Sequence, residues 1–182
     1  MTKFKSILRI WIPIAVASSF LSAVIYLTVQ QNYRQNVNDP QIQMAEDLAL
    51  LLQNGKSPQD IIGQTQVDLN KSLQTFIIIY NELGKPLVSQ AVLDGRIPTP
   101  PVGVFTYTRE KKEDRLTWEP KVGVREAAVL VRFDGANPGY VLVGRSLREV
   151  EQRESQLTMH VGLGLLATLI GSLIATFFLQ GV

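Results

Sequence analysis

The chain has no cysteine and a single histidine, His160. Disulfides, thiolate nucleophiles and cysteine-based metal sites are excluded outright. A zinc-protease helix needs two histidines four apart, and that too is absent. The four serines outside the apolar stretches that we weighed, Ser57, Ser72, Ser89 and Ser146, lack a nucleophile-elbow setting. Acidic residues are scattered, with no pair of carboxylates beside a base. No block of like charge suggests nucleic-acid binding. The expectation is therefore a protein that is not an enzyme and carries no cofactor and no metal. His160 sits among apolar neighbours, where an interfacial residue without special role is the simplest reading; near-neutral titration makes pH sensing the alternative.

What is present in excess is apolar length. Ile10–Val29 and Met159–Leu179 contain no Asp, Glu, Lys or Arg. Roughly 20 apolar residues cross a hydrocarbon core as a helix, so both stretches read as membrane spans. The predicted organisation is a cytoplasmic tip at 1–9, a span at 10–29, an extracytoplasmic domain at 30–158, a span at 159–179 and a cytoplasmic end at 180–182. The net charge of +2 hides an asymmetry. Lys3, Lys5 and Arg9 precede the first span with no acid among them, leaving 15 basic against 16 acidic side chains elsewhere. A basic flank resists translocation, so both ends are expected inside. Arg145, Arg148 and Arg153 before the second span pull weakly the other way. A cleaved signal peptide is the competing reading of the first span. The length of its apolar stretch and the lack of a small-x-small site at its outer end favour an uncleaved anchor.

Between the spans the hydrophobic period changes several times. Ile42, Ala45, Leu48, Ala49, Leu51 and Leu52 recur at helical spacing. Asp39 with Pro40 opens that helix or Pro40 kinks a longer one, and Gly55 suits its C-terminus. A short helix is expected after Ser57 as N-cap and Pro58. Gln74–Tyr80 and Pro86–Ala91 read as a β-hairpin across Asn81–Lys85. Leu93–Pro101 reads as a loop. Val102–Lys112 suits a helix opened by Pro101, which we prefer to a strand. The mixed-sign run Arg109–Arg115 reads as a solvated turn. Arg115–Glu119, Val124–Phe133 and Tyr140–Gly144 read as three further strands, with a turn at Asp134–Gly139. Ser146 and Glu149 have capping-box spacing, and nothing breaks a helix from Ser146 to Phe178. The fold class is α+β: a five-stranded antiparallel sheet with helices on one face.

Three stretches carry a resemblance: FIIIYNELGKPLVS, TWEP followed by GVREAAVLV, and PGYVLVGRSLREVEQRE entering the second span. The region from Ile42 to Gln156 resembles the extracytoplasmic PAS-like, or single-Cache, sensor domains of bacterial transmembrane receptors such as histidine kinases. Those receptors continue past the second span into cytoplasmic output domains, whereas Gln180, Gly181 and Val182 are all that follow here. The resemblance implies a homodimeric signal-transduction module in the bacterial inner membrane, part of a two-component system, with its domain periplasmic or extracellular. It also implies a pocket between the sheet and its cover, here Asp94–Lys112. Arg96, Tyr107, Arg109, Arg115, Trp118 and Arg125 are the candidate contacts, and guanidinium groups beside aromatic rings suit a small anionic ligand. Ordinary surface charges and half-buried rings are the plainer reading of the same residues. Within the spans, Ala15, Ser19 and Ala23, and Ala167, Gly171 and Ala175, place small residues every four positions. Such stripes let spans pack on each other or on a second copy. The alternative function is a non-catalytic structural or assembly subunit whose domain docks a protein partner in the membrane.

Overall fold

The structure, a computed structural model, describes residues 2–36, 39–63 and 65–181. The elements run α1 (Thr2–Asn36), α2 (Asp39–Gln53), α3 (Pro58–Ile61), β1 (Val67–Asp68), β2 (Phe76–Asn81), β3 (Pro86–Ser89), β4 (Ala91–Val92), α4 (Val102–Lys111), β5 (Glu113–Lys121), β6 (Val124–Phe133), β7 (Gly139–Ser146) and α5 (Arg148–Gly181). They divide into two compact units: residues 35–150, and residues 1–34 with 151–182. The question whether Pro40 kinks a continuing helix falls on residues 37–38, outside the described residues.

The 35–150 unit is built on a five-stranded sheet in the order β3-β2-β7-β6-β5, antiparallel at every pairing. Its centre is apolar on both parities. In β7, Tyr140–Gly144 is buried without interruption, and in β6 Glu126–Leu130 is too. Clean alternation marks a sheet with one wet face; an unbroken apolar run marks one covered on both. The expected single helical layer is therefore corrected to two. On one face Ile79, Val129, Phe133, Val141 and Val143 pack with Ala45, Ala49 and Leu52 of α2. On the other, Phe76, Ile78, Tyr80, Leu130, Tyr140 and Leu142 pack with Phe105 of α4 and with Val67, Leu69, Ala91 and Leu93 around the small parallel pair β1–β4.

Local chemistry explains most boundaries. α2 ends at Gly55, whose φ of +87° is the left-handed conformation glycine adopts without a Cβ penalty. There Lys56 N–H donates to Leu51 C=O and Gly55 N–H to Leu52 C=O, satisfying carbonyls that the helix end leaves open. Ser57 does not cap α3 with its side chain; its hydroxyl lies 2.7 Å from Gln59 Oε1 instead. Leu93–Arg96 is a tight reversal with Asp94 and Gly95 both at positive φ, rather than an open loop. The run Arg109–Arg115 is not a loop either. It is the last turn of α4, one left-handed residue at Lys112 (φ +73°), and the start of β5. Lys112 N–H closes onto Thr108 C=O, its carbonyl accepts from Arg132 N–H, and its ammonium pairs with Asp134 at 2.7 Å, which together hold the unusual φ. Ser146 ends β7 and accepts Arg148 N–H at 3.4 Å, while Glu149 lies 3.8 Å from Arg145.

The other unit pairs α1 with α5. α1 and α5 each contain a stretch, of mean hydropathy 2.0 within Lys3–Tyr33 and 2.1 within Arg148–Gln180, that is long and apolar enough to cross a membrane. α1 continues through Pro13 without interruption. Trp11 Nε1 donates to Leu169 C=O and to Ser172 Oγ, both at 3.1 Å, and Thr158 Oγ1 donates to Tyr26 OH at 3.4 Å. Half-buried positions of α1 include Trp11, Ala15, Ser18, Ser22 and Tyr26; those of α5 include Leu157, Val161, Leu165, Leu169 and Ser172, with Thr176 buried. Of the two small-residue stripes only Ala15 lies in this seam. Ser19, Ala23, Ala167, Gly171 and Ala175 are exposed, and a Cβ on Gly171 would meet nothing within 4 Å. The Ala167–Ala175 stripe lies on a different face of α5 from the seam, whose own positions Leu157, Val161, Leu165 and Leu169 also recur every four.

Two outcomes follow from this packing. A Cβ on Gly139 would sit 2.2 Å from Tyr80 C=O and 2.9 Å from the Phe133 ring. Gly139→Ala should therefore cost about 1–3 kcal/mol in urea unfolding of the detergent-solubilised chain, because a paired backbone cannot step aside. In the other unit, Ala15→Ile should weaken α1–α5 association by about 1 kcal/mol in an SDS titration. Gly171→Ile should leave that titration unchanged.

Candidate functional site

The face of the sheet under α4 was the expected ligand chamber, and it is filled. Phe105 stands edge-on to Tyr80 and Tyr140, with ring centroids 5.1 and 5.3 Å away. Each contact suits the ring quadrupoles. Burial pushes the Tyr80 phenol well above its ordinary range, and its hydroxyl donates to Pro98 C=O at 3.1 Å, anchoring the loop before α4. Arg109 ties the other end of α4 down: Nε donates to Tyr140 OH at 3.3 Å and a terminal nitrogen donates to Glu82 C=O at 3.2 Å. Trp118 is 5% exposed and belongs to this core.

The six candidate contacts therefore do not converge. Arg109 and Trp118 hold structure on the α4 face. Tyr107 points outward from α4, half exposed. Arg115 and Arg125 alternate with Trp118 and Glu126 and so lie on the opposite face of the sheet, where Arg115 pairs with Glu113. Arg96 lines a cleft. That cleft, of about 560 Å³, is bounded by Asp94, Ile97, Pro98, Thr99, Pro120 and Lys121. A second, of about 620 Å³, shares Asp94 and Lys121 and adds Asp68, Asn70 and Lys71. Both are open to solvent. The wall between them is a small polar network: Lys121 Nζ lies 2.9 Å from Asp94 Oδ2, and Asn70 Nδ2 donates to Asp94 Oδ1 at 3.0 Å. The hydrogen bond from Lys121 holds the Asp94 carboxyl below the usual carboxylate range. Arg96 and Lys71 leave these clefts able to attract a small anion, with Asp94 and Asp68 opposing it.

The residue that sequence reasoning missed is Glu126. It is 1% exposed, and neither carboxylate oxygen has a hydrogen-bond partner. Its register partners are Trp118 on β5 and Ser146 on β7, both buried, so it stands in the row that closes this core. Burial pushes its carboxyl up to about 7, with the Arg148 guanidinium acting weakly against the rise. The signal was available in Val124, Glu126, Ala128 and Leu130, which alternate onto one face of β6. No family model, curated protein or solved structure matches the chain. Among the described residues no group of three His, Asp or Glu side chains could hold a metal ion.

An acid whose folded value lies above its unfolded one keeps its proton better when folded. The resulting stability is full below the unfolded value of about 4.5 and is lost as pH rises through about 7. Thermal unfolding of the wild type should therefore show lower stability at pH 8 than at pH 5.5. Glu126→Gln should flatten that difference and stabilise the protein at pH 8 by roughly 2 kcal/mol, allowing for partial solvent screening.

Proposed function

We propose that the chain is a membrane-anchored sensor-type module with an extracytoplasmic PAS-like domain, whose state is passed to the second span through α5. The observation that carries this reading is α5 itself, a single helix from Arg148, two residues after the last strand, to Gly181. A helix with no Pro or Gly before Gly162 transmits displacement or rotation instead of absorbing it. The five-stranded antiparallel sheet with helical cover on both faces supports the PAS-like part. The basic tip at Lys3, Lys5 and Arg9 supports an N-in, C-in topology in a bacterial inner membrane.

The filled core favours a second reading for what the domain detects. Phe105 and Trp118 occupy the chamber where a small ligand would sit, whereas Leu83 and Leu87 are 79% and 51% exposed beside Pro58 and Pro138 on an open cleft. Exposed apolar surface of that kind suits docking of a protein partner, as in an assembly subunit or a sensor of a protein signal.

Two measurements on the full chain in native vesicles test the proposal. Val122→Cys, at a position 94% exposed, should react with an impermeant maleimide only from the outer side, and Lys3→Cys only from the inner side. Labelling of both from one side overturns the topology. Photo-crosslinking from Leu83 should capture a discrete partner band if docking is the input. A thermal shift with small carboxylates, lost in Arg96→Ala, assigns the input to the open clefts instead.

A further inference from the structure

Arg148 is the first residue of α5, and its side chain does not run free into solvent. One terminal nitrogen donates to Asn70 C=O at 2.7 Å and the other to Lys71 C=O at 3.5 Å. Its backbone N–H donates to the Ser146 hydroxyl. Ser146 is the cross-strand partner of Glu126. The guanidinium is thus committed to two carbonyls of the turn after β1, while the nearby carboxylate of Glu126 is buried with neither oxygen partnered. A charge-assisted pair between these two groups would be stronger than bonds from a guanidinium to neutral carbonyls. It is worth forming only when the carboxyl has lost its proton, because a neutral acid offers the guanidinium little more than a carbonyl does.

The geometry points to a proton-gated latch: with Glu126 neutral, Arg148 clasps the Asn70–Lys71 turn; with Glu126 ionised, the guanidinium turns to the carboxylate and releases that turn. The proton leaves to bulk water, and no other group changes its bonds. A carboxyl titrating near neutrality puts the changeover between about pH 6 and pH 8. The charged groups around the latch are few. From β5, Trp118 faces Glu126, with Asp114 farther along the same face and Lys121 beyond the bulge. From β7 the facing residue is Ser146, and from α5 it is Arg148. The turn after β1 brings Asp68 and Lys71, which pair with each other at 3.5 Å, and Asn70, which is bonded to the Asp94–Lys121 pair. Arg125 lies on the other face of β6. Arg148 is the only cation named here that bears on the Glu126 carboxyl while holding the turn. The device sits wholly within the 35–150 unit and stands or falls apart from the sensor reading.

Hydrogen exchange of the full chain in lipid nanodiscs, corrected for intrinsic pH dependence, tests it at pH 5.5 and pH 8.5. In the wild type, amides in 68–73 and 146–150 should exchange at least about fivefold faster at the higher pH, the loss expected for one charge-assisted hydrogen bond. Glu126→Gln should hold both segments at the slow, acid value at either pH. Arg148→Gln should give fast exchange at both. Amides of the β2–β3 hairpin, 76–89, should show no step. Equal exchange at both pH values in the wild type overturns the latch. So does a pH step that persists in Glu126→Gln, or a step of the same size in 76–89, which reports general loosening.

Discussion

The constraint on which the folded unit depends is that its two central strands are apolar on both sides. β6 and β7 offer Ala127, Val129, Val141 and Val143 to one face and Ala128, Leu130, Tyr140 and Leu142 to the other. Neither face can be left wet without exposing a contiguous apolar surface, and burying such side chains is the dominant favourable term in folding. The rest of the unit is arranged to meet that demand. α2 covers one face with Ala45, Ala49 and Leu52. The other is covered piecemeal, by α4 through Phe105 and by the β1–β4 pair.

That division of labour explains where tight packing occurs. Gly144 stands opposite Phe76 in the sheet, and any Cβ there would lie 2.4 Å from the Phe76 ring. The glycine is the hollow into which the ring fits. Gly84 abuts the Phe105 ring in the same way, with 3.3 Å to an added Cβ, at a turn that also needs φ of +73°. The piecemeal cover ends at the row of Trp118, Glu126 and Ser146, where α5 begins. A carboxylate enters the interior there, beside the first residue of the helix that leads to the second apolar stretch. An unpaired buried acid is costly in its charged form and tolerable in its neutral one. Burial accordingly favours the protonated form of Glu126 at this junction.

Much of the fold was legible. Every strand of the main sheet was anticipated, from β-branched and aromatic composition at Gln74–Tyr80, from the hairpin turn before Pro86 and from alternation at Arg115–Glu119, with β6 at its observed limits, Val124–Phe133. The helix at Val102–Lys111 followed from Pro101 and the apolar spacing after it. The single-layer expectation went astray because strands were judged one at a time. An unbroken run such as YVLVG shows double-sided burial only once it is known to be central, which depends on its partners. Site residues were less legible for a related reason. Arg115, Trp118 and Arg125 are close in sequence, yet the two-residue period of a strand sends Trp118 to one face and both arginines to the other. Glu126 was hidden because an acid in a strand is ordinarily assigned to the wet side, and here Arg125 takes that side while Glu126 turns inward.

Composition and periodicity by themselves determined that two helices are long and apolar enough to cross a membrane, that an α+β domain lies between them, and that thiol and zinc-helix chemistry are absent. These are properties of short windows, set by hydrophobic length, backbone propensity and side-chain inventory. Only the tertiary structure decided which faces are covered, which small residues enter the α1–α5 seam, that Phe105 and Trp118 fill the chamber, and that Arg148 clasps a turn beside a buried Glu126. Those depend on register and on pairings between residues up to 161 apart, and no local rule carries information across that distance.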